Sequence, residues 1–205
     1  MYITRGLKYL DEVKGKPTWV PPSVVLPGVY SNNDRIGQEW FAPAGLNRGG
    51  LTDVLEAQTR LTNLERDDLY ENRINPIATF PGQGVVVFGQ KTLQGKPSAL
   101  DRINVRRLLI NLRKFIASSS RFLVFEQNTT ALRNRFLNIV NPYLEQVQSN
   151  SGLSAFRVVM DESNNTPDVI DRNQLVGQIF IQPTRTAEFI VLDFVVQRTG
   201  AAFSD

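Results

Sequence analysis

The sequence contains no cysteine and no histidine among its 205 residues. The absence of cysteine excludes disulfides, thiol nucleophiles and cysteine-ligated zinc, and the absence of histidine excludes every Ser-His-Asp arrangement. Catalysis near neutral pH would depend on carboxylates, lysine, tyrosine, or a metal held by oxygen ligands alone. Several common classes of hydrolase and zinc protein are therefore excluded before any motif is considered.

Long apolar runs and a large net charge are also lacking. No stretch approaches the ~20 apolar residues of a membrane helix, and MYITRGLKYLDEVKGK at the N-terminus lacks the apolar region of a secretory signal, so we expect no membrane partner and a chain made in the cytoplasm. The net charge of +3 is too small to indicate nucleic acid. The 17 arginines against six lysines favour bidentate, partly buried pairs at interfaces.

What the sequence does contain is typical of a globular domain, with 41 % hydrophobic and 21 % charged residues. Residues 1–17 are interpreted as an N-terminal segment that is either disordered or a linker, and residues 18–205 as a single domain. Within the first 50 residues, PPSVVLPGVYSNNDR predicts a short capped segment and WFAPAGLNRGG an irregular loop.

Three helices are predicted from apolar periodicity. The first covers 61–73, with Thr62 and Glu65 at the spacing of a capping box. The second covers about 100–118 and is capped by Ser98 or Asp101. The third carries a set of apolar residues at helical spacing, with Pro142 expected to kink it or mark a boundary. That set is Leu132, Phe136, Ile139, Val140, Tyr143, Leu144 and Val147.

The 100–118 helix has an unusual distribution of side chains. Its main apolar arc consists of Val105, Leu108, Leu109, Leu112, Phe115 and Ile116. Arg102, Arg106 and Arg113 cluster on another arc, while Ile103 and Ile110 lie outside the main apolar one. We therefore expect this helix to contact other structure on two sides.

Strands are predicted at 85–88, 155–160, 174–182 and 188–197, while FLVF at 122–125 either continues the preceding helix or forms a strand. The last strand has apolar residues on both faces and so requires cover on both. Ile190, Leu192, Phe194 and Val196 line one face, and Phe189, Val191 and Val195 line the other. The order of elements predicts an α+β fold, a small mixed β-sheet flanked by two or three helices with an extended C-terminal strand.

Two stretches resemble ligand-binding motifs but depart from them at essential positions. GQKTLQGKPS places five residues between Gly89 and Gly95 and puts Pro97 where a phosphate loop needs an amide, so it is interpreted as an exposed loop. DESNNTPDVIDRN at 161–173 departs from the calcium loop, because Thr166 replaces its glycine and Arg172 its bidentate glutamate.

The same 161–173 stretch matches a helix start better than a metal loop. Thr166, Pro167 and Asp168 stand in N-cap, N1 and N2 order. Asn164 and Asn165 suit the left-handed geometry of the corner before it. We expect the acids of this stretch to pair with arginines such as Arg172 or those of the 101–114 helix.

Two functional alternatives remain beside a structural role. An oxygen-ligand metal hydrolase would use Asp161, Asp168 and Asp171, although nothing supplies an apolar pocket for the acid. A nucleic-acid module would use the five basic residues of RINVRRLLINLRK, a helix that is otherwise interpreted as a solvated or interface-paired face.

Four long pieces of the sequence resemble, in register, the C-terminal part of the tail sheath protein of contractile-tailed bacteriophages. They are WFAPAGLNRG at 40–49, INPIATFPGQGVVVFGQKTL at 74–93, DRINVRRLL at 101–109 and DESNNTPDVIDRNQLVGQIFIQPTRTAEFIVLDFVVQRTG at 161–200. The resemblance covers about residues 18–200. Secretion and pyocin-like injection machines use similar subunits.

The resemblance implies a structural protein of the virion, made in the host cytoplasm, with no catalytic residue, cofactor or metal. Family members form stacked six-subunit rings around a tail tube and contract to drive it through the host envelope. The implied partners are neighbouring sheath subunits, the tube protein, and baseplate and tail terminator proteins. Sheath proteins are usually longer, with outer domains and an N-terminal arm before this region, so the chain is expected to be a fragment or a reduced or split subunit.

In this family, extended terminal arms add strands to neighbouring subunits, which makes 186–205 the expected connecting segment. An exposed apolar strand is an aggregation hazard in a monomer but a connector in a polymer. The expected subunit or tube interface consists of Arg102, Arg106, Arg113, Ile103 and Ile110 on the helix, and Ile190, Leu192, Phe194 and Val196 on the strand.

Overall fold

The computed structural model describes residues 2, 3 and 6–192, which form an α+β fold, as predicted. The α-helices in this part of the chain are α1 (Pro22–Ile36), α2 (Asn63–Glu71), α3 (Ile103–Ser120), α4 (Thr130–Ser149) and α5 (Pro167–Asp171). The strands are β1 (Tyr2–Ile3), β2 (Leu7–Asp11), β3 (Lys16–Val20), β4 (Val54–Ala57), β5 (Asn75–Phe80), β6 (Gly84–Val87), β7 (Leu153–Val159) and β8 (Gln178–Pro183).

The strands form three small sheets rather than the one mixed sheet that was predicted. β1 runs parallel to β5, and β5 antiparallel to β6. β2 pairs antiparallel with both β3 and β4, and β7 pairs antiparallel with β8. The two longest helices, α3 and α4, come between β6 and β7 along the chain. The last two strands share a hydrophobic core with these helices, and the earlier strands contribute to a separate core.

Part of the segment interpreted as disordered or a linker lies inside this fold. Leu7–Asp11 is the middle strand of the β3-β2-β4 sheet, and Leu7 is fully buried. Burial of an apolar side chain together with hydrogen bonds on both strand edges holds this segment in place.

Two hydrophobic cores organise the described residues. One lies between α3, α4 and the β7–β8 sheet, and it includes Leu108, Leu112, Phe136, Val140, Leu144 and Leu153. The other lies beneath α1 and the first two sheets, and it includes Leu7, Val29, Leu51, Ile77, Val85 and Val87. Trp40, in the irregular loop predicted from WFAPAGLNRGG, belongs to the first core and donates its indole N–H to the Asn150 carbonyl at 3.0 Å.

α3 begins later than predicted because the chain before it makes tertiary backbone hydrogen bonds. Ser98 caps a short 3₁₀ turn over Ala99–Asp101, and Arg102 then adopts an extended conformation. The Ile103 amide donates to the Gln90 carbonyl at 2.9 Å, and the Thr92 amide donates to the Asp101 carbonyl at 2.9 Å. These bonds pair residues 90–92 with 101–103 and delay the helix by one turn.

Pro142 does not mark a helix boundary, one of the two predicted outcomes, since α4 continues as helix to Ser149. Proline removes one helical hydrogen bond, which leaves the Asn138 carbonyl without its amide. Asn138 is exposed, so water can satisfy that carbonyl. Burial of Val140, Leu144 and Val147 in the first core outweighs the lost bond.

FLVF at 122–125 forms no strand, and it continues the preceding helix only as a short 3₁₀ turn. Residues Arg121–Leu123 make a 3₁₀ turn, and Phe125 follows with φ at +69°. Leu123 is buried, while Phe122 and Phe125 are exposed. A single inward side chain is enough to hold this turn against the first core.

The corner at 161–173 delivers the chain into α5, as predicted, but its asparagines act differently. Thr166 occupies the N-cap position with Pro167 at N1. The left-handed residue is Asn173, whereas Asn165 is buried and pairs with both backbone groups of Val176 at 2.8 Å. The side chains of this corner therefore brace the backbone that leads into β8.

Candidate assembly interface

The β7–β8 sheet offers unpaired edges. Within the described residues these two strands pair only with each other, so each has one edge without a strand partner. β8 alternates exposed and half-buried side chains, and Phe180 is 55 % exposed. Free edges of this kind can accept an added strand.

Residues 184–192, called here the C-terminal segment, leave β8 and cross the molecule. The Thr184 amide donates to the Gly152 carbonyl at 3.1 Å, and Gln90 Nε2 donates to Thr186 Oγ1 at 2.7 Å. Beyond this point the chain exposes four consecutive apolar side chains: Phe189, Ile190, Val191 and Leu192, each at least 70 % exposed.

The predicted strand 188–197 is thus not paired over 188–192, and residues 193–197, including Phe194 and Val196, lie outside the described part of the chain. Ile190 and Leu192 are exposed, as expected for side chains that await cover. The assignment of Ile190, Leu192, Phe194 and Val196 to an interface stays a prediction.

Glu188 is the centre of a partly buried polar cluster. Its carboxylate accepts hydrogen bonds from Arg102 Nε at 2.7 Å and Arg102 Nη2 at 2.9 Å, and from Gln90 Nε2 at 3.2 Å. Tyr70 of α2 hydrogen-bonds to it as well. The Glu188 side chain is 15 % exposed and that of Arg102 is 26 % exposed. We call Glu188, Arg102, Gln90 and Tyr70 the Glu188 cluster.

Electrostatics in the Glu188 cluster favour the ionised pair. Burial alone would raise the pKa of Glu188, but hydrogen bonds from Arg102, Tyr70 and Gln90 outweigh it and hold that pKa below its ordinary value. The hydrogen bond to Glu188 raises the pKa of Arg102. Burial and the nearby carboxylate raise the pKa of Tyr70, so its hydroxyl remains a donor.

α3 carries a basic face that is largely free of acid partners among residues 2, 3 and 6–192. Ile103–Ser120 contains no aspartate or glutamate. Arg106, Ile110, Arg113 and Lys114 are all exposed on one side of the helix, and we call them the basic stripe. Arg106 hydrogen-bonds to the Leu100 carbonyl and to Gln94 Oε1, both at 3.0 Å. An exposed isoleucine among cations is typical of a contact surface for an acidic partner.

The face of α3 next to the basic stripe contacts the N-terminal half of the chain. Arg107 Nη2 lies 2.6 Å from Asp34 Oδ2 in α1, and its guanidinium carbon lies 5.1 Å from the ring centre of Tyr30. Asn111 Nδ2 donates to Glu39 Oε2 at 2.6 Å. The predicted second contact side of this helix is thus occupied by residues of the same chain.

The three arginines predicted as one cluster have different surroundings. Arg102 precedes the helix and pairs with Glu188 and Asp101 of its own chain. Arg106 and Arg113 lie on the basic stripe. Of the two isoleucines, Ile103 is half-buried and Ile110 is 62 % exposed.

The acids at 161–171 do not converge on a metal site. Within residues 2, 3 and 6–192, no group of three acidic side chains is placed to hold an ion. Asp161 Oδ1 instead accepts from the Ser163 amide at 2.8 Å, and hydrogen bonds from Ser163 lower the pKa of Asp161. Arg172, an expected partner for these acids, donates to the Asp168 carbonyl.

Within residues 2, 3 and 6–192, no helix is long and apolar enough to cross a membrane.

Sequence reasoning missed the Glu188 cluster. Its members come from α2, the residues after β6, the start of α3 and the C-terminal segment, and no local spacing links them. The only available signal was Glu188, an isolated glutamate immediately before an apolar run. A glutamate that is buried requires a cation as its partner.

Comparison with known families settles the class of protein. The family described as phage tail sheath C-terminal domain matches residues 95–197. The chain belongs to this family. It is 40 % identical to the tail sheath protein of Vibrio phage KVP40 over 195 residues, which cover 95 % of this chain and 29 % of that protein. It is also 40 % identical to the tail sheath protein of Enterobacteria phage T4, covering 95 % of this chain and 30 % of that protein. The sheath domain therefore spans about three tenths of these relatives' length.

The fold agrees with the family. The solved sheath complex of PVC, an extracellular contractile injection system in the contracted state, superposes with a TM-score of 0.84 at 27 % identity. The match covers 95 % of this sheath domain and 55 % of that chain. The α+β arrangement described above is thus that of a sheath domain.

Proposed function

We propose that this chain acts as a structural subunit of a contractile phage tail sheath. In this role it polymerises as helical stacks of six-subunit rings around a tail tube and contracts to drive the tube through the host envelope. The observation that carries the proposal is the 40 % identity to phage tail sheath proteins along 95 % of the chain. The role is mechanical and uses no catalytic residue or cofactor.

Neighbouring copies are the first proposed partner. The exposed apolar residues 189–192 need cover, and the β7–β8 sheet has edges that can accept a strand. We assign Ile190, Leu192, Phe194 and Val196 to this subunit contact.

The tail tube is the second proposed partner, through Arg106, Ile110 and Arg113 of the basic stripe. Charge of one sign on an exposed helix face favours an acidic partner and a salt-dependent association. Baseplate and terminator proteins would contact the two ends of the sheath.

A phage tail is favoured over a related injection system by sequence. The phage sheath relatives are 40 % identical to this chain, whereas the PVC sheath chain is 27 % identical. Both assignments describe the same mechanical role, so they differ in the machine and not in the chemistry of the subunit.

Electron microscopy of the purified chain with its cognate tail tubes tests the proposal. We expect rings or decorated tubes, with decoration lost as salt is raised. A chain that stays monomeric at its solubility limit and leaves the tubes bare would contradict the proposal.

A further inference from the structure

The C-terminal segment lies between two open grooves. Residues 186–189 line a groove of about 490 Å³ on the side of the α3 N-terminus. They also line a groove of about 270 Å³ on the side of α2 and the end of β6. Phe189 borders both grooves and is still 75 % exposed. Apolar packing on both flanks of the segment is therefore incomplete, and packing alone does not determine its path.

Polar contacts supply what the packing lacks. The Glu188 carboxylate receives donors from three separate parts of the fold: Tyr70 in α2, Gln90 after β6 and Arg102 before α3. The two bonds from Arg102 are parallel and bidentate, a geometry that restricts orientation as well as distance. Glu188 also immediately precedes the four exposed apolar residues.

We propose that Glu188 is a positioning residue whose cluster sets the direction in which the chain leaves the domain, so that 189–192 is presented to a second copy at a defined place. The presentation to a second copy rests on the proposed sheath function. The defined direction is a property of the single chain and can be measured without any assembly.

The position of residue 191 relative to α3 measures this direction. Because the chain has no cysteine, Ala117→Cys and Val191→Cys place two spin labels at exposed sites without competing thiols. Distance distributions from double electron–electron resonance are then compared for the otherwise native chain, Glu188→Gln, Glu188→Ala and Arg102→Lys. Glu126→Gln, an exposed glutamate outside the cluster, is the matched control.

We expect a narrow distribution in the native chain and in Glu126→Gln, and a broad one in Glu188→Ala. Arg102→Lys keeps the charge but loses the planar fork, so it should give an intermediate width. The distribution for Glu188→Gln should also be broader than the native one, because this variant loses the charge-assisted hydrogen bonds from Arg102. Glu188→Gln is isosteric and tests the proposal even if Glu188→Ala does not fold.

Three results would overturn the proposal: a native distribution as broad as that of the variants, variants as narrow as the native chain, or equal broadening in Glu126→Gln. If the ion pair only stabilised the domain, its removal would lower the melting temperature without changing the distance distribution. Decoration of tubes is scored separately with the unlabelled chains, which carry neither Ala117→Cys nor Val191→Cys. Failure of the native chain there would contradict the sheath function while leaving the distance result valid.

Discussion

Gly152 occupies a site where a side chain has no room. A Cβ atom there would lie 2.7 Å from Val147 Cγ1 and 2.9 Å from the Trp40 indole nitrogen, both in the first core. Gly152 also bonds through its amide to the Val147 carbonyl and through its carbonyl to the Thr184 amide. It thus lies where α4 ends, where the first core closes and where the C-terminal segment begins.

We expect Gly152→Ala to lower the free energy of unfolding by about 1–3 kcal/mol, the range for overpacking a dense core. Gly28→Ala is the matched control, because a Cβ on this α1 residue meets nothing within 4 Å. That substitution should raise stability by up to ~1 kcal/mol through helix propensity. Urea unfolding of both variants checks the prediction, and equal effects would contradict it.

Glu188 predicts a pH dependence of stability with a defined sign. Its pKa is lower in the folded chain than the ordinary 4.5, so the folded state favours the ionised form. Its stabilising contribution is complete above about pH 5 and is lost as the pH falls through the folded pKa. The charged groups around it are Arg102, Asp101 and Lys91.

The difference in unfolding free energy between the native chain and Glu188→Gln isolates this effect from the other acids. We expect the difference to stay constant from about pH 7 to 5.5 and to shrink steadily below about pH 4.5. A difference that grows on acidification would mean that the folded pKa is raised and that burial dominates. Denaturant unfolding at each pH supplies the measurement.

At the scale of elements, α3 separates its contacts by face. Leu108 and Leu112 pack in the first core, and Arg107 contacts α1. The basic stripe is our proposed contact with a partner outside the chain, whereas Arg102 belongs to the Glu188 cluster. Reversing all the arginines together would therefore combine a folding effect with an assembly effect.

Arg113→Glu with Lys114→Glu should separate these effects. Both side chains are exposed, so we expect a melting temperature within about 2 °C of the native value, as is usual for surface changes. Tube or neighbour association should weaken at least tenfold, equal to ~1.4 kcal/mol of lost charge complementarity. Arg60→Glu with Lys96→Glu makes the same charge change on exposed loops and should leave association unchanged. Co-sedimentation with tubes decides between these outcomes.

At the scale of the whole molecule, the C-terminal segment lies outside both cores. Every residue of the two cores precedes residue 186. Deletion of 186–205 should therefore leave a soluble domain with modestly reduced stability, because Arg102 and Gln90 lose their partner Glu188.

The same deletion should abolish the linkage of subunits, since it removes the exposed apolar residues 189–192. Light scattering and electron microscopy of the truncated chain check both expectations. Sheaths formed by the truncated chain would show that another element connects the copies. A truncated chain that unfolds would show that the Glu188 cluster supports the domain as a whole.

Sequence periodicity was sufficient where local chemistry dominates. The capping box at Thr62, the buried strand near 85–88 and the apolar face of α4 are as predicted, because side chains within a few residues create them. The family assignment also followed from sequence, since long motifs in register are specific. By contrast, the delayed start of α3 depends on hydrogen bonds to residues 90–92, which no local pattern encodes.

The sequence by itself determined the α+β class, the exclusion of thiol and imidazole chemistry, the presence of α2, α3 and α4, and the sheath family. Only the tertiary structure decided that the strands form three sheets, that 161–173 is braced through Asn165 to Val176, and that Glu188 meets Arg102 across 86 positions. The physical reason is that ion pairs and sheet partners between distant residues depend on how the two cores bring elements together. A pattern read along the chain carries no information about which distant residues the folded chain brings into contact.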